Sequence, residues 1–302
     1  MTLLVSSLID RIYREYLTPA DDYPSYTLLE TGITDSDTEL TYRDDLMLPE
    51  EVDLLDVGSI IEVGRELMIV GGVDSSTNEL SGLERGQFGT TAASHAAGAK
   101  IFVAPGLTRQ AVFDAVVNEL AGLHPPLYRV KAEEAWSEVW ELPADAWGAL
   151  ESKYHDGAGW KPGGGFDITH DDPDSSTGIS ARLRHPFGDR NLLRYKASFG
   201  IPAAESDDLE GASIGFSASY AQVLIVSAVS YLVSGFDVDA KTQEFITEAL
   251  ERQGFPVGSG ERLRNSLLTY RQLLLDRDSR RLVARDPSDA VTADPWPGFK
   301  GL

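Results

Sequence analysis

Five histidines, His95, His124, His155, His170 and His185, are the residues of this 302-residue chain best suited to proton transfer or metal binding. No two stand four apart, the separation that sets a metal pair on one helix face. The nearest approach to a ligand set is His155-Asp156 with His170-Asp171-Asp172. Both lie in Gly-, Asp- and Pro-rich sequence of the kind that makes turns. Asp172-Pro173-Asp174 with Ser175, Ser176 and Gly178 lacks the regular oxygen spacing and closing Glu of a calcium loop. The glycine run from Gly157 to Gly165 contains Lys161, yet it lacks the Gly-Lys-Ser/Thr ending and the following helix that cradle a phosphate. With no cysteine in the chain, thiolate metal sites, disulfides and cysteine nucleophiles are all excluded. The expectation is a protein without catalytic, cofactor-binding or metal-binding residues, and therefore not an enzyme.

One stretch stands out in another way. From Leu83 to Gly98 the chain is too small and too glycine-punctuated for a surface helix, and strand-like sequence flanks it. It reads as a shaped connection. Arg85 is suited to donate to carbonyls, Gly86 and Gly89 permit positive φ, and the alanines allow close backbone approach. His95 is expected to serve as a structural hydrogen bonder.

The surrounding elements follow from periodicity. Leu4, Leu8, Ile9, Ile12, Tyr13 and Tyr16 recur at helical spacing, with Pro19 beyond them. Between Tyr26 and Val103 the period changes to two, in Thr38–Tyr42, Ile60–Val63, Glu66–Val70 and Ala99–Val103, which predicts a small β domain. Thr108 is an N-cap candidate for a helix with Val112, Phe113, Val116, Val117 and Leu120 on one stripe. From Leu127 to about Ile201 alternation returns, with strands around Ser137–Leu142 and Leu193–Phe199, predicting a sandwich or barrel-like module. Three helices follow. Ser217 or Ser219 is the expected cap of the first, which carries the most apolar run, Tyr220 to Val233. Asp237 or Asp239 is the expected cap of the second, and the third runs from Glu261 to about Arg285. The apolar run is shorter than the roughly 18 residues of a membrane span, so a buried core helix is expected, with no membrane partner. The amphipathic N-terminus does not read as a signal peptide. The fold class is α+β. The expected organisation is an N-terminal helix plus β-rich domain with a closing helix (1–123), a central β-rich module (124–203), a helical region (204–285) and an extended tail (286–302).

Charge restricts the partners. The net charge is -22, with 48 acidic against 26 basic side chains, and such a chain does not grip nucleic-acid phosphates. Residues 1–60 hold fourteen Asp/Glu against three Arg, whereas residues 261–285 hold seven Arg against three acids. That asymmetry suits like-on-unlike docking between subunits. Arg85, Arg277, Arg280, Arg281, Trp296 and Phe299 are the expected interface residues, the two aromatics because buried aromatics dominate interface energetics.

Three segments carry a resemblance. The run Arg85-Gly86-x-x-Gly89-Thr90-x-Ala92-Ala93-x-His95-x-x-Gly98, preceded by Ile60–Val70, resembles an element recurring in structural proteins of tailed bacteriophages. Glu141-Leu-Pro-Ala-Asp-Ala146 and Asp207-Asp-Leu-Glu-Gly-Ala-Ser-Ile-Gly215, which feeds an apolar helix, are similar to parts of phage neck and tail proteins. The resemblance implies a virion structural protein assembled in the host cytoplasm. It implies a head-to-tail connector or neck component that forms a homo-oligomeric ring, contacts portal, neck or tail proteins, and lets DNA pass without specific binding. It implies no cofactor. A tail-tip, baseplate or minor tail protein is the alternative. From another class, a carbohydrate-binding module or glycoside hydrolase would use Trp136, Trp140, Trp147 and Trp160 as sugar platforms and Asp171 and Asp172 as acids.

Overall fold

In the computed structural model, which describes residues 3–17, 26–43, 55–103, 105–123, 126–135, 137–184, 190–235, 240–254 and 261–284, the fold class is α+β. Val5, Leu8, Ile9 and Ile12 form the buried stripe of helix α1 (Val5–Ile12). Leu4 at the cap position has no side-chain acceptor, so the first amides turn to the backbone: Val5 N–H donates to the Asp207 carbonyl at 3.1 Å and Ser6 N–H to that of Glu205 at 2.9 Å. The helix widens into a π-helical turn, Tyr13–Leu17, which carries Tyr16 into the interior. There the Tyr16 hydroxyl accepts from Gln222 Nε2 at 2.7 Å and Gln253 Nε2 at 2.6 Å.

The alternating segments build two small antiparallel sheets. Strands β1 (Tyr26–Leu28), β3 (Ile60–Val63), β4 (Glu66–Ile69) and β7 (Lys100–Val103) pair in the order β1-β7-β3-β4. Strands β2 (Leu40–Thr41), β5 (Gly72–Asp74) and β6 (Glu79–Ser81) pair in the order β2-β6-β5. Their shared core includes Leu29, Tyr42, Ile61, Val63, Met68, Leu80 and Ile101. Opposed residues of an antiparallel pair point to the same face, so the β3–β4 hairpin separates its two glutamates. Glu66 lies opposite Val63 and shares the core face with Ile61 and Met68; Glu62 lies opposite Leu67 on the other face.

Helix α2 (Arg109–Gly122) begins as expected, with the Thr108 hydroxyl oxygen accepting from Ala111 N–H at 3.1 Å. Beyond it, β8 (Arg129–Ala135), β10 (Ala146–His155), β11 (Trp160–Pro162) and β14 (Asn191–Ala197) pair as β11-β10-β14-β8. Strands β9 (Val139–Glu141), β12 (Phe166–His170) and β13 (Ile179–Leu183) pair as β12-β13-β9. One apolar cluster draws on both sheets, including Phe166 and Ala181 from one and Leu193 and Tyr195 from the other.

The last elements are α3 (Ala221–Gly235), preceded by a 3-10 turn that Ser217 caps, then α4 (Ala240–Arg252) and α5 (Glu261–Ala284). The segment Ala218–Gly235 reaches 18 residues, one turn longer in all than the apolar run suggests, and by length and apolarity alone would cross a bilayer. Here its side chains Val223 through Ser230 are buried. Residues 1–123 and 204–285 stand apart in sequence, and their helices meet in the packing. Helices α1 and α2 share one core with Phe199, Phe216 and helices α3, α4 and α5, while the β module 26–103 has its own. An apolar stripe shows only that a helix is covered on that side; the covering surface here comes from the far end of the chain. The expected caps Asp237 and Asp239 and the tail 286–302 lie outside the described residues.

Replacing Thr108 by Ala removes the capping acceptor of α2. It is expected to cost about 1 kcal/mol of stability, read as a lower urea midpoint with an unchanged denaturation slope.

Candidate functional site

The Leu83–Gly98 connection is organised by one buried ion pair. Glu66, at the first position of β4, is 2% exposed. Arg85 meets it in a two-pronged bond, Nε to Oε1 at 2.6 Å and Nη2 to Oε2 at 2.8 Å. The remaining guanidinium donors go to the carbonyls of Thr34 (2.9 Å), Asp37 (2.8 Å) and Ala93 (2.7 Å). The carboxylate also accepts Gly86 N–H and Ala93 N–H, both at 3.1 Å, and lies 2.8 Å from His95 Nε2. Burial alone would raise the Glu66 carboxyl, but the bonds from Arg85, His95 and Ala93 outweigh it and hold the group below the ordinary carboxylate range.

The node fixes a loop of unusual backbone. Gly86 has φ +63°, and a Cβ there would come within 3.0 Å of Ala92 N. Phe88, a non-glycine residue, sits at φ +53° between Gln87 and Gly89, held where Thr90 N–H and Oγ both donate to the Gln87 carbonyl. Phe88 is thereby presented to solvent, 65% exposed.

Arg85, expected at an interface from its type, is drawn inward within the chain. Its side chain is 8% exposed and engaged in holding the connection together. Arg280 is exposed on α5, and Arg277 is bonded through Nε and Nη2 to the neighbouring Asp278 at 2.7 and 2.9 Å. Arg281 belongs to the same helix. Trp296 and Phe299 lie outside the described residues.

The second cluster was not legible as chemistry. A cavity of about 200 Å³ lies between α1, β3, β7 and the start of α2, lined among others by Asp10, Tyr13, Glu62, Lys100, Phe102 and Arg109. Arg109 is tied to Glu205 Oε2 at 2.7 Å and to Asp10 Oδ1 at 2.6 Å, and Tyr13 donates its hydroxyl to the Leu107 carbonyl at 2.6 Å. Glu62 accepts a long bond from Gln110 N–H, 3.4 Å, at the α2 N-terminus. Desolvation pushes its carboxyl up to about 8, with the helix amides and Arg109 offsetting only part of the effect. A carboxyl that titrates near neutrality can donate or accept a proton. The signal in the sequence was an acid inside the apolar run Ile60-Ile61-Glu62-Val63.

The remaining candidates are turns. The His155 Nδ1 accepts from Gly157 N–H at 3.1 Å, and Asp156 accepts from Ala158 and Gly159, both at 2.9 Å, so Gly157–Gly159 is the bend of the β10–β11 hairpin and Lys161 lies on β11. Asp172 accepts from Ser180 Oγ and from Asp174 N–H, and those bonds hold its carboxyl below the ordinary range, opposite to what a glycosidase acid requires. No group of three or more His, Asp or Glu suited to a metal occurs among the described residues. His124, Trp136, His185 and Gly258-Ser259-Gly260 lie outside them.

Gly211-Ala-Ser-Ile-Gly215 carries the Gly-x-Ser-x-Gly spacing of a nucleophile elbow, a match that sequence reasoning missed. An elbow needs a strand before the serine and a helix directly behind it; this run is a succession of turns in which the Ser213 carbonyl accepts from Arg129 at 2.9 Å. The second resembling segment is also structural, since Asp145 accepts from Arg129 at 2.5 Å and Lys131 at 2.8 Å. No protein-family model matches the chain, and no curated protein matches it.

Two outcomes are expected from stability measurements. Arg85→Met leaves a buried carboxylate unpaired and lowers stability by about 3–5 kcal/mol; adding Glu66→Met recovers part of that loss, whereas strictly additive effects would show the pair to be uncoupled. The Glu62 carboxyl binds its proton more tightly in the folded state, about 8 against 4.5 for the ordinary group. The folded state therefore loses stability as pH rises through this window. Glu62→Gln does not titrate, so it should gain on the parent between about pH 5 and pH 9, reaching on the order of a few kcal/mol.

Proposed function

We propose that this chain is a structural component of a virion. Within that class, we propose a head-to-tail connector or neck protein of a tailed phage, forming a homo-oligomeric ring around the DNA path. The observation that carries the proposal is the Glu66–Arg85–His95 node. The most distinctive motif of the sequence commits its charged groups to internal bonds that hold a loop, and the loop offers an exposed aromatic. That is the economy of an interface element, in which rigidity lowers the cost of association.

The other two resembling segments support the same view, because each braces other elements through hydrogen bonds. Asp145 links the sheet strand β8 to the turn before β10, and residues 205–208 bond the start of α1. The net charge of -22 fits a conduit along which DNA slides without sticking. Neighbouring portal, neck or tail proteins are the proposed partners, and the virion is the proposed location. A tail-tip or baseplate position is the runner-up. The Glu62 cavity favours a second reading, binding of a small molecule through a carboxyl near neutrality.

Electron microscopy of the purified protein should show closed rings, and immunolabelling of intact particles should place them at the head–tail junction. Label at the tail tip would select the runner-up. A monomeric chain absent from particles would sink the virion proposal.

A further inference from the structure

Two surfaces are left without partners among the described residues, and they complement each other. The first is the outer stripe of α5. Leu263, Leu267, Leu274 and Leu275 face the core, and at helical spacing Arg262, Leu273 and Arg280 fall on one line well away from them. Leu273 is 55% exposed. Arg262 and Arg280 are exposed and make no ion pair among the described residues, which sets them apart from Arg271 and Arg277 of the same helix. Eighteen residues of helix put the two arginines about 27 Å apart.

The second surface is an open groove of about 490 Å³ walled by Ile60, Leu67, Phe88 and Pro105. It lies on the face of the β3–β4 hairpin that carries Glu62, away from the β-module core. Val57 beside it is 64% exposed. Asp56 and Glu84 are exposed on the segments adjoining it, Asp56 just before Gly58 and Glu84 bridged to Ile69 at the end of β4. Phe88 owes its place in the wall to the strained turn that the Glu66–Arg85 node holds.

We infer that α5 of one copy docks in the Phe88 groove of a second copy, with Leu273 against Phe88 and Leu67, and Arg262 and Arg280 toward Asp56 and Glu84. Charge complementarity selects a second copy as the occupant. Copies carrying a net charge of -22 repel one another, and association needs cationic groups set against local acid. The basic helix and the acidic N-terminal module of this chain supply both halves. Because the two surfaces differ, the contact is head-to-tail, and repetition of it closes into a ring when the rotation allows. The inference rests on the ring assembly proposed above and names its interface.

The test measures assembly of the full chain by mass photometry and sedimentation, with circular dichroism confirming the fold of each variant. R262E/R280E and D56R/E84R should each weaken assembly by about tenfold or more, and mixing the two should restore it, since each retains one native and one reversed surface that match across copies. F88A should weaken assembly without altering its salt dependence. If the parent assembles and the folded variants assemble equally well, the interface is elsewhere and this inference fails while the ring stands. If the variants fail alone and their mixture fails too, the charge pairing is wrong. A parent that stays monomeric overturns both the interface and the ring.

Discussion

The buried contact between Glu66 and Arg85 is the constraint on which the N-terminal module depends. A carboxylate removed from water is tolerable only when its charge and lone pairs are answered, and here a guanidinium, an imidazole and two backbone amides converge on it. The same guanidinium gathers carbonyls from residues 34, 37 and 93, so three segments distant in sequence meet at one side chain. That centre works with the backbone pairs Ile69–Glu84 and Ile33–His95 to hold a sixteen-residue connection of small residues in one shape.

The neighbouring glutamate shows the opposite solution. Glu62 and Glu66 stand on two sides of one hairpin, both buried, and their carboxyls are displaced in opposite directions. The difference lies in what faces them. Arg85 meets Glu66 directly, while the arginine near Glu62, Arg109, is committed to Glu205 and Asp10. A carboxyl with a cation close by but already engaged is desolvated without being paired, and it keeps its proton instead.

How much of this was legible depended on the range of the interaction. The Thr108 cap, the α1 stripe and the β3–β4 hairpin are local, and their residues announce them within a few positions. Gly86 and Gly89 announced a shaped loop, and Arg85 was legible as a donor to carbonyls, but its ionic partner was not, because the sequence shows Glu66 as one strand acid among several. The Glu62 cavity needed Asp10, Tyr13, Lys100 and Arg109 brought together from three regions. No periodicity encodes such an encounter. The joining of α1 and α2 with the last three helices escaped for the same reason, as did the inward turn of Arg85, whose residue type favours interfaces generally.

That joining has a consequence for the order of events during synthesis. The β module has its core within residues 29–103 and the central sheets theirs within 142–197, so each contains its own apolar partners as soon as it has left the ribosome. The helical core does not. Its α1 stripe meets α2 early but gains Leu224, Leu250 and Leu274 only after more than a hundred further residues, and its opening amides wait for the carbonyls of residues 205 and 207. Closure over so long a sequence separation is slow compared with forming a hairpin. The nascent chain therefore carries the α1 stripe only partly covered until the helices beyond residue 220 have been made.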